Sequence, residues 1–129
     1  MGQRFLSFRT AEGDNVSEWS PAADALSRRL AEALEARDYD IDFEACQHAW
    51  MQDWEFLARG HGQEFVVVLV LCGLRPNRWF IVLNDAHCRQ LDSLAVEAVV
   101  HPILEEVVRE WPGASGLRWH ADASTLRDV

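Results

Sequence analysis

Residues 64–83 read EFVVVLVLCGLRPNRWFIVL, and this stretch decides the fold. Residues 65–71 are an unbroken apolar run rich in β-branched side chains, bounded by Glu64 and Gly73. That length, composition and punctuation suit a strand better than a helix. Arg75-Pro76-Asn77-Arg78 is a turn signal, with proline preset for the first central position. Residues 79–83 then return as a second strand, which gives an apolar hairpin.

Working outward, residues 54–59 read as another strand, and Gly60-His61-Gly62 turns the chain back. Before it, Ile41, Phe43 and Ala45 alternate with Asp40, Asp42 and Glu44, the period of a half-buried strand with an acidic outer face. Ser20-Pro21 starts a helix, serine as cap and proline in the first turn. Ala22, Leu26, Leu30 and Leu34 form its apolar stripe, opposite Asp24, Arg28, Glu32 and Glu35, and it ends near Arg37. Downstream, Asp92 or Ser93 caps a second long helix. Its apolar side is Val96, Val99, Val100, Ile103, Leu104 and Val107; its polar row is Glu97, His101, Glu105 and Arg109. An interior proline costs about 3 kcal/mol, so Pro102 predicts a kink or a break near His101. Residues 4–9 and 117–120 supply the first and last strands, and the tail after residue 122 is expected to fray.

The order is β-α-β-β-β-β-α-β. It implies one α+β domain over residues 1–129, a two-layer sandwich with a mainly antiparallel sheet of five to six strands. Both long helices lie on one face. The four middle strands form a meander, because short connections join neighbours, and the outer two are placed to pair in parallel with it.

Register sorts the sheet's faces. With His61-Gly62 as a two-residue loop, Arg59 lies opposite Glu64, Ala58 opposite Phe65, and Phe56 opposite Val67. With Pro76-Asn77 at the centre of the next turn, Leu71 lies opposite Val82 and Cys72 opposite Ile81. Trp54, Phe56, Ala58, Phe65, Val67, Leu69, Leu71, Phe80 and Val82 then face the helices. The other face has a polar rim but an apolar middle of Val66, Val68, Val70, Trp79 and Ile81. A large uncovered apolar patch marks an interaction site. These five residues are therefore expected to be covered by a second copy (a homodimer), by another protein, or by the loop 11–20 with Trp19.

Composition narrows the function. The net charge is −9 and every basic residue is arginine, which disfavours nucleic acid, whose affinity comes from neutralising phosphates. No apolar run is long enough to span a membrane, and MGQRFLSFRT lacks the apolar core of a signal peptide. Cys46, Cys72 and Cys88 are odd in number and unpatterned, which fits a reducing cytoplasm. Cys46 with His48, and His87 with Cys88, lack zinc-ligand spacing, so no metal or other cofactor is expected. A hydrolase built on Cys88, His87 or His101 and Asp85 would need a nucleophile, base and orienting group in mutual reach, and no signature supplies one. Residues 48–55, HAWMQDWE, have more binding character. With the neighbouring strand they offer an acidic partner surface of Asp40, Asp42, Glu44, Trp50 and Asp53, suited to a basic protein.

The RFLSFRT strand, a helix after NVSEWSP, the Trp50/Trp54 strand entry, the hairpin and a helix leading to LRWH together resemble small bacterial α/β proteins of the toxin-immunity type. The resemblance implies stoichiometric inhibition of a toxin rather than catalysis, and assigns no functional residues. The expected function is a non-enzymatic protein-binding module, of the kind of an immunity-like inhibitor of a basic toxin. A secretion-chaperone-like dimer and a small hydrolase using a loop Cys or Asp are the alternatives.

Overall fold

The computed structural model describes residues 4–10, 21–43, 53–73, 77–85, 91 and 93–121. The elements run β1 (Phe5–Thr10), α1 (Pro21–Glu35), β2 (Asp40–Asp42), β3 (Asp53–Gly60), β4 (Gln63–Gly73), β5 (Asn77–Asn84), α2 (Leu94–Glu110) and β6 (Ser115–His120). This is the α+β order read from the sequence. The six strands make one sheet in the order β2-β3-β4-β5-β1-β6. Every neighbouring pair is antiparallel. The meander β2 to β5 is as expected; the outer strands are not. β1 lies between β5 and β6 and is antiparallel to both, because each helix carries the chain past at least one strand before it re-enters the sheet.

Both helices cover one face. Leu26, Leu30 and Leu34 of α1 and Val100, Ile103, Leu104 and Val107 of α2 share a core with Leu6, Phe8, Phe56, Phe65, Val67 and Leu69. α1 ends on paired carbonyl caps: Tyr39 N–H donates to Leu34 O at 3.2 Å, and Asp38 N–H donates to Glu35 O at 3.1 Å. Asp38 takes the left-handed conformation that such a cap requires, at φ 70°. The Ser93 hydroxyl caps α2, accepting from Val96 N–H at 3.4 Å.

Pro102 does not divide α2, which runs unbroken from Leu94 to Glu110. The proline faces solvent. Water can therefore take the Ala98 carbonyl that has lost its donor four residues on, and the break is avoided.

The β3–β4 register agrees with expectation: Arg59 opposes Glu64, Ala58 opposes Phe65, and Phe56 opposes Val67. His61 and Gly62 both have positive φ, 54° and 74°, which matches the twist of a two-residue hairpin. The β4–β5 register differs. Leu71 opposes Trp79 rather than Val82, an offset of three residues, and an irregularity falls between Leu71 and Gly73. An odd offset exchanges the faces of β5. Trp79, Ile81 and Leu83 therefore join the helix-covered core, while Phe80 and Val82 move to the opposite face. Asn77 and Arg78 belong to the strand, not to a turn. The slip gives the largest side chain a home: the Trp79 indole stacks on Phe8 at 6.4 Å and donates its N–H to Thr10 Oγ1 at 3.0 Å.

The α1–β2 connection meets the first hairpin closely. A Cβ on Gly60 would lie 2.8 Å from Tyr39 Cδ1 and 3.0 Å from the Asp38 carbonyl oxygen. Tyr39 is pinned edge-on by Phe65 at 5.5 Å and His61 at 4.9 Å, so it has little room to yield. Gly60→Ala should cost about 2 kcal/mol by overpacking, measurable as a lowered urea midpoint. Gly62→Ala meets nothing within 4 Å, and its cost of about 1 kcal/mol comes from its positive φ alone.

Candidate docking surface

On the sheet face away from the helices, Val66 and Val68 pack with Leu57 and Val82. All four are buried within a single chain, at 2, 4, 5 and 8% exposure in that order. Val70, Phe80 and Phe5 are partly buried beside them. Trp79 and Ile81, assigned to this surface from the expected register, lie on the other side of the sheet; this corrects the assignment. The apolar area left for a partner here is therefore limited to the partly exposed rim.

The acidic surface is placed in part. Asp40 and Asp42 are exposed on the short edge strand β2. Asp53 pairs with Val70 through the β3 backbone. Its side chain, together with Glu44 and Trp50, lies outside the described residues, as do Cys46, His48, His87 and Cys88. Among the described residues no helix is long and apolar enough to cross a membrane, and no cluster could hold a metal ion.

One histidine–hydroxyl pair has the composition of a catalytic dyad. Ser7 Oγ lies 2.6 Å from His120 Nε2, and both residues are buried. The Ser7 hydroxyl also lies within reach of the Arg118 carbonyl, at 3.3 Å. A nucleophilic serine must be reached by its substrate, and both members of this pair are buried in the sheet. Here the pair ties β6 to β1.

The surface that sequence reasoning missed is on α2. Leu94 is 65% exposed and Val99 56% exposed. Ala95, Ala98 and Pro102 are exposed beside them. The solvent side of the helix's first half is thus entirely apolar. Glu97, placed in the polar row by the sequence reading, is buried, and Val99, placed on the apolar side, faces water; both placements are corrected. The signal was present: residues 94–104 contain only Glu97 and His101 as polar side chains, and a helix apolar all round is ordinarily covered all round. Leu94 and Val99 are its two large side chains, with Ala95, Ala98 and Pro102 around them. At its centre the Ala98 carbonyl lacks an i+4 donor, because Pro102 has no N–H. An incoming donor could use that oxygen.

Beside this face, α2 grips the edge strand. His101 stacks on Trp119 at 4.4 Å, and the Trp119 indole donates to Glu105 Oε1 at 3.0 Å. Arg109 donates to the same oxygen at 3.4 Å. Burial holds the His101 imidazole down to about 4, below its ordinary 6.5. The fold therefore favours the neutral ring, and stability is lost as pH falls from about 6.5 toward about 4. His101 is only half-buried, so the loss is about 1 kcal/mol after solvent screening. His101→Phe keeps the stack and should flatten this part of the thermal-midpoint profile; an unchanged slope would contradict it.

Compared with protein-family models, curated proteins and solved structures, the chain matches none, and its function is read from its own surface chemistry.

Proposed function

We propose that this protein is a non-enzymatic protein-binding module that docks a basic partner on the outward face of α2. The exposed apolar stripe of Leu94, Ala95, Ala98, Val99 and Pro102 carries this reading. Charge suggests the partner's sign. Across the helix layer, exposed Asp24, Glu32, Glu35, Asp38, Glu106 and Glu110 outnumber exposed Arg28, Arg29, Arg37 and Arg109. The whole chain is at −9, so a basic surface is attracted at long range and an acidic one repelled. Apolar anchors supply the affinity, and a donor on the partner meets the Ala98 carbonyl. A stoichiometric, immunity-type inhibitor of a basic toxin is a role this chemistry fits.

The test is titration with an 18-residue amphipathic peptide of leucine and lysine, followed by amide NMR. The reading expects shifts centred on residues 94–102 and at least tenfold weaker binding of the leucine–glutamate counterpart. Shifts elsewhere, or equal binding of the two peptides, would count against it.

A further inference from the structure

We propose that the partner meets α2 with an amphipathic α-helix laid lengthwise along it, apolar towards one end and basic towards the other. This rests on the reading of α2 as the docking surface, and names the form and polarity of what docks there.

The form follows from backbone hydrogen bonding. An extended segment pressed onto Leu94, Ala95, Ala98, Val99 and Pro102 would bury its N–H and C=O groups against side chains that carry no polar atom. Each such group left without a hydrogen bond costs free energy, and the Ala98 carbonyl can meet only a donor beside it. A helix satisfies its backbone within itself and brings apolar side chains to this face without that cost. Its own rows, four residues apart, match the rows Leu94-Ala98-Pro102 and Ala95-Val99, so ridges can seat in grooves. A second copy of the chain is a poor occupant, because two molecules at −9 repel.

The polarity follows from where α2 keeps its exposed carboxylates. Steps of seven and eleven residues return almost to the same side of a helix with about 3.6 residues per turn. Ala95, Val99, Glu106 and Glu110 therefore lie along one line, apolar at its start and acidic at its end, all exposed. Glu106 stands about 10 Å beyond Val99 along the axis, and Glu110 about 16 Å. Each has a cation nearby, Arg37 at 3.9 Å from Glu106 and Arg29 at 3.7 Å from Glu110, with both glutamate side chains 61% exposed. Ion pairs that long and that exposed are worth little, and a carboxylate has lone pairs for a second donor. A helix seated on Leu94 and Val99 thus brings residues two to three turns further along to these two carboxylates, and lysine or arginine suits them there.

Three 18-residue peptides of leucine, alanine and lysine are the probes: one with its lysines gathered at one end, one with them spread evenly, and the gathered one with a central proline. Calorimetry should place the gathered peptide about fivefold tighter than the even one and about tenfold tighter than the proline-broken one. Bound, it should show helical carbon shifts, and a spin label on its lysine end should broaden amides 106–110 more than 94–98. Glu106→Gln/Glu110→Gln should erase the preference for gathered lysines. Asp24→Asn/Glu35→Gln, the same charge change on exposed residues of α1, should keep it. An extended bound peptide, equal binding of the proline-broken one, or a lysine end lying beside 94–98 would overturn the proposal and leave the docking surface standing. Concentration-dependent shifts at 94–102 in the protein alone would name a second copy as occupant and overturn it too. Binding unchanged by Leu94→Gln/Val99→Gln would instead overturn the docking surface itself, and the proposal with it.

Discussion

Trp79→Ala should lower the unfolding free energy by about 3–5 kcal/mol, the range for truncating a large aromatic in a core. The residue is 2% exposed, stacked on Phe8 and tilted against Trp54 at 6.0 Å. Removal leaves a cavity among rings held by three strands, and strands hydrogen-bonded on both sides cannot collapse far to fill it. It also takes the indole donor from the buried Thr10 hydroxyl. Trp79→Phe separates the two losses, keeping most of the ring and costing about 1–3 kcal/mol for the unmet acceptor and the reduced volume. Because whole domains are stable by only about 5–15 kcal/mol, Trp79→Ala places the fold near its threshold. Phe80→Ala is the informative partner. Phe80 is partly exposed on the opposite face, with an edge contact to Phe5 at 5.9 Å, and should cost distinctly less. Urea unfolding followed by circular dichroism ranks the two. The register first inferred from the turn requires the reverse ranking.

The second large effect is on binding rather than stability. Leu94→Gln/Val99→Gln removes both exposed anchors while keeping the charge unchanged. Substitutions at exposed positions away from the core ordinarily stay within about 0.5 kcal/mol of wild type, so the thermal midpoint should barely move. Affinity for the basic partner should fall about 30-fold or more, since an apolar hot-spot anchor is worth about 2 kcal/mol when truncated. Glutamine is chosen over glutamate because an added carboxylate would attract a basic partner and mask the lost apolar contact. Calorimetric titration reads the change. A variant that unfolds would instead assign Leu94 and Val99 a part in the core, contrary to their exposure.

What was legible in the sequence depended on how tightly local chemistry fixed geometry. His61-Gly62 can tolerate the positive φ of a two-residue loop, so the register of β3 on β4 followed from counting. The second turn had no such constraint. Proline at 76 suggested a centre for it, but the irregularity between Leu71 and Gly73 absorbed residues and moved the pairing by an odd number. Nothing in an apolar run such as Trp79-Phe80-Ile81-Val82-Leu83 says which alternate set is inside. Burial of the indole decided it. α2 posed the same difficulty in helical form: with apolar residues on nearly every side, periodicity alone could not show that Glu97 goes in and Val99 goes out. α1 has charge on one side only, and its outward residues Asp24, Arg28, Glu32 and Glu35 were readable at once.

The central claim is that the first half of α2 presents a docking surface, and photo-crosslinking in the native cell tests it most directly. A benzophenone side chain placed at Ala98 sits in the middle of the face; one placed at Glu35 sits on the exposed side of α1 as a control. The account predicts a discrete adduct with a basic protein from position 98, none from position 35, and loss of the adduct in the Leu94→Gln/Val99→Gln background. No adduct from position 98, the same adducts from both positions, or an adduct indifferent to those substitutions would contradict it.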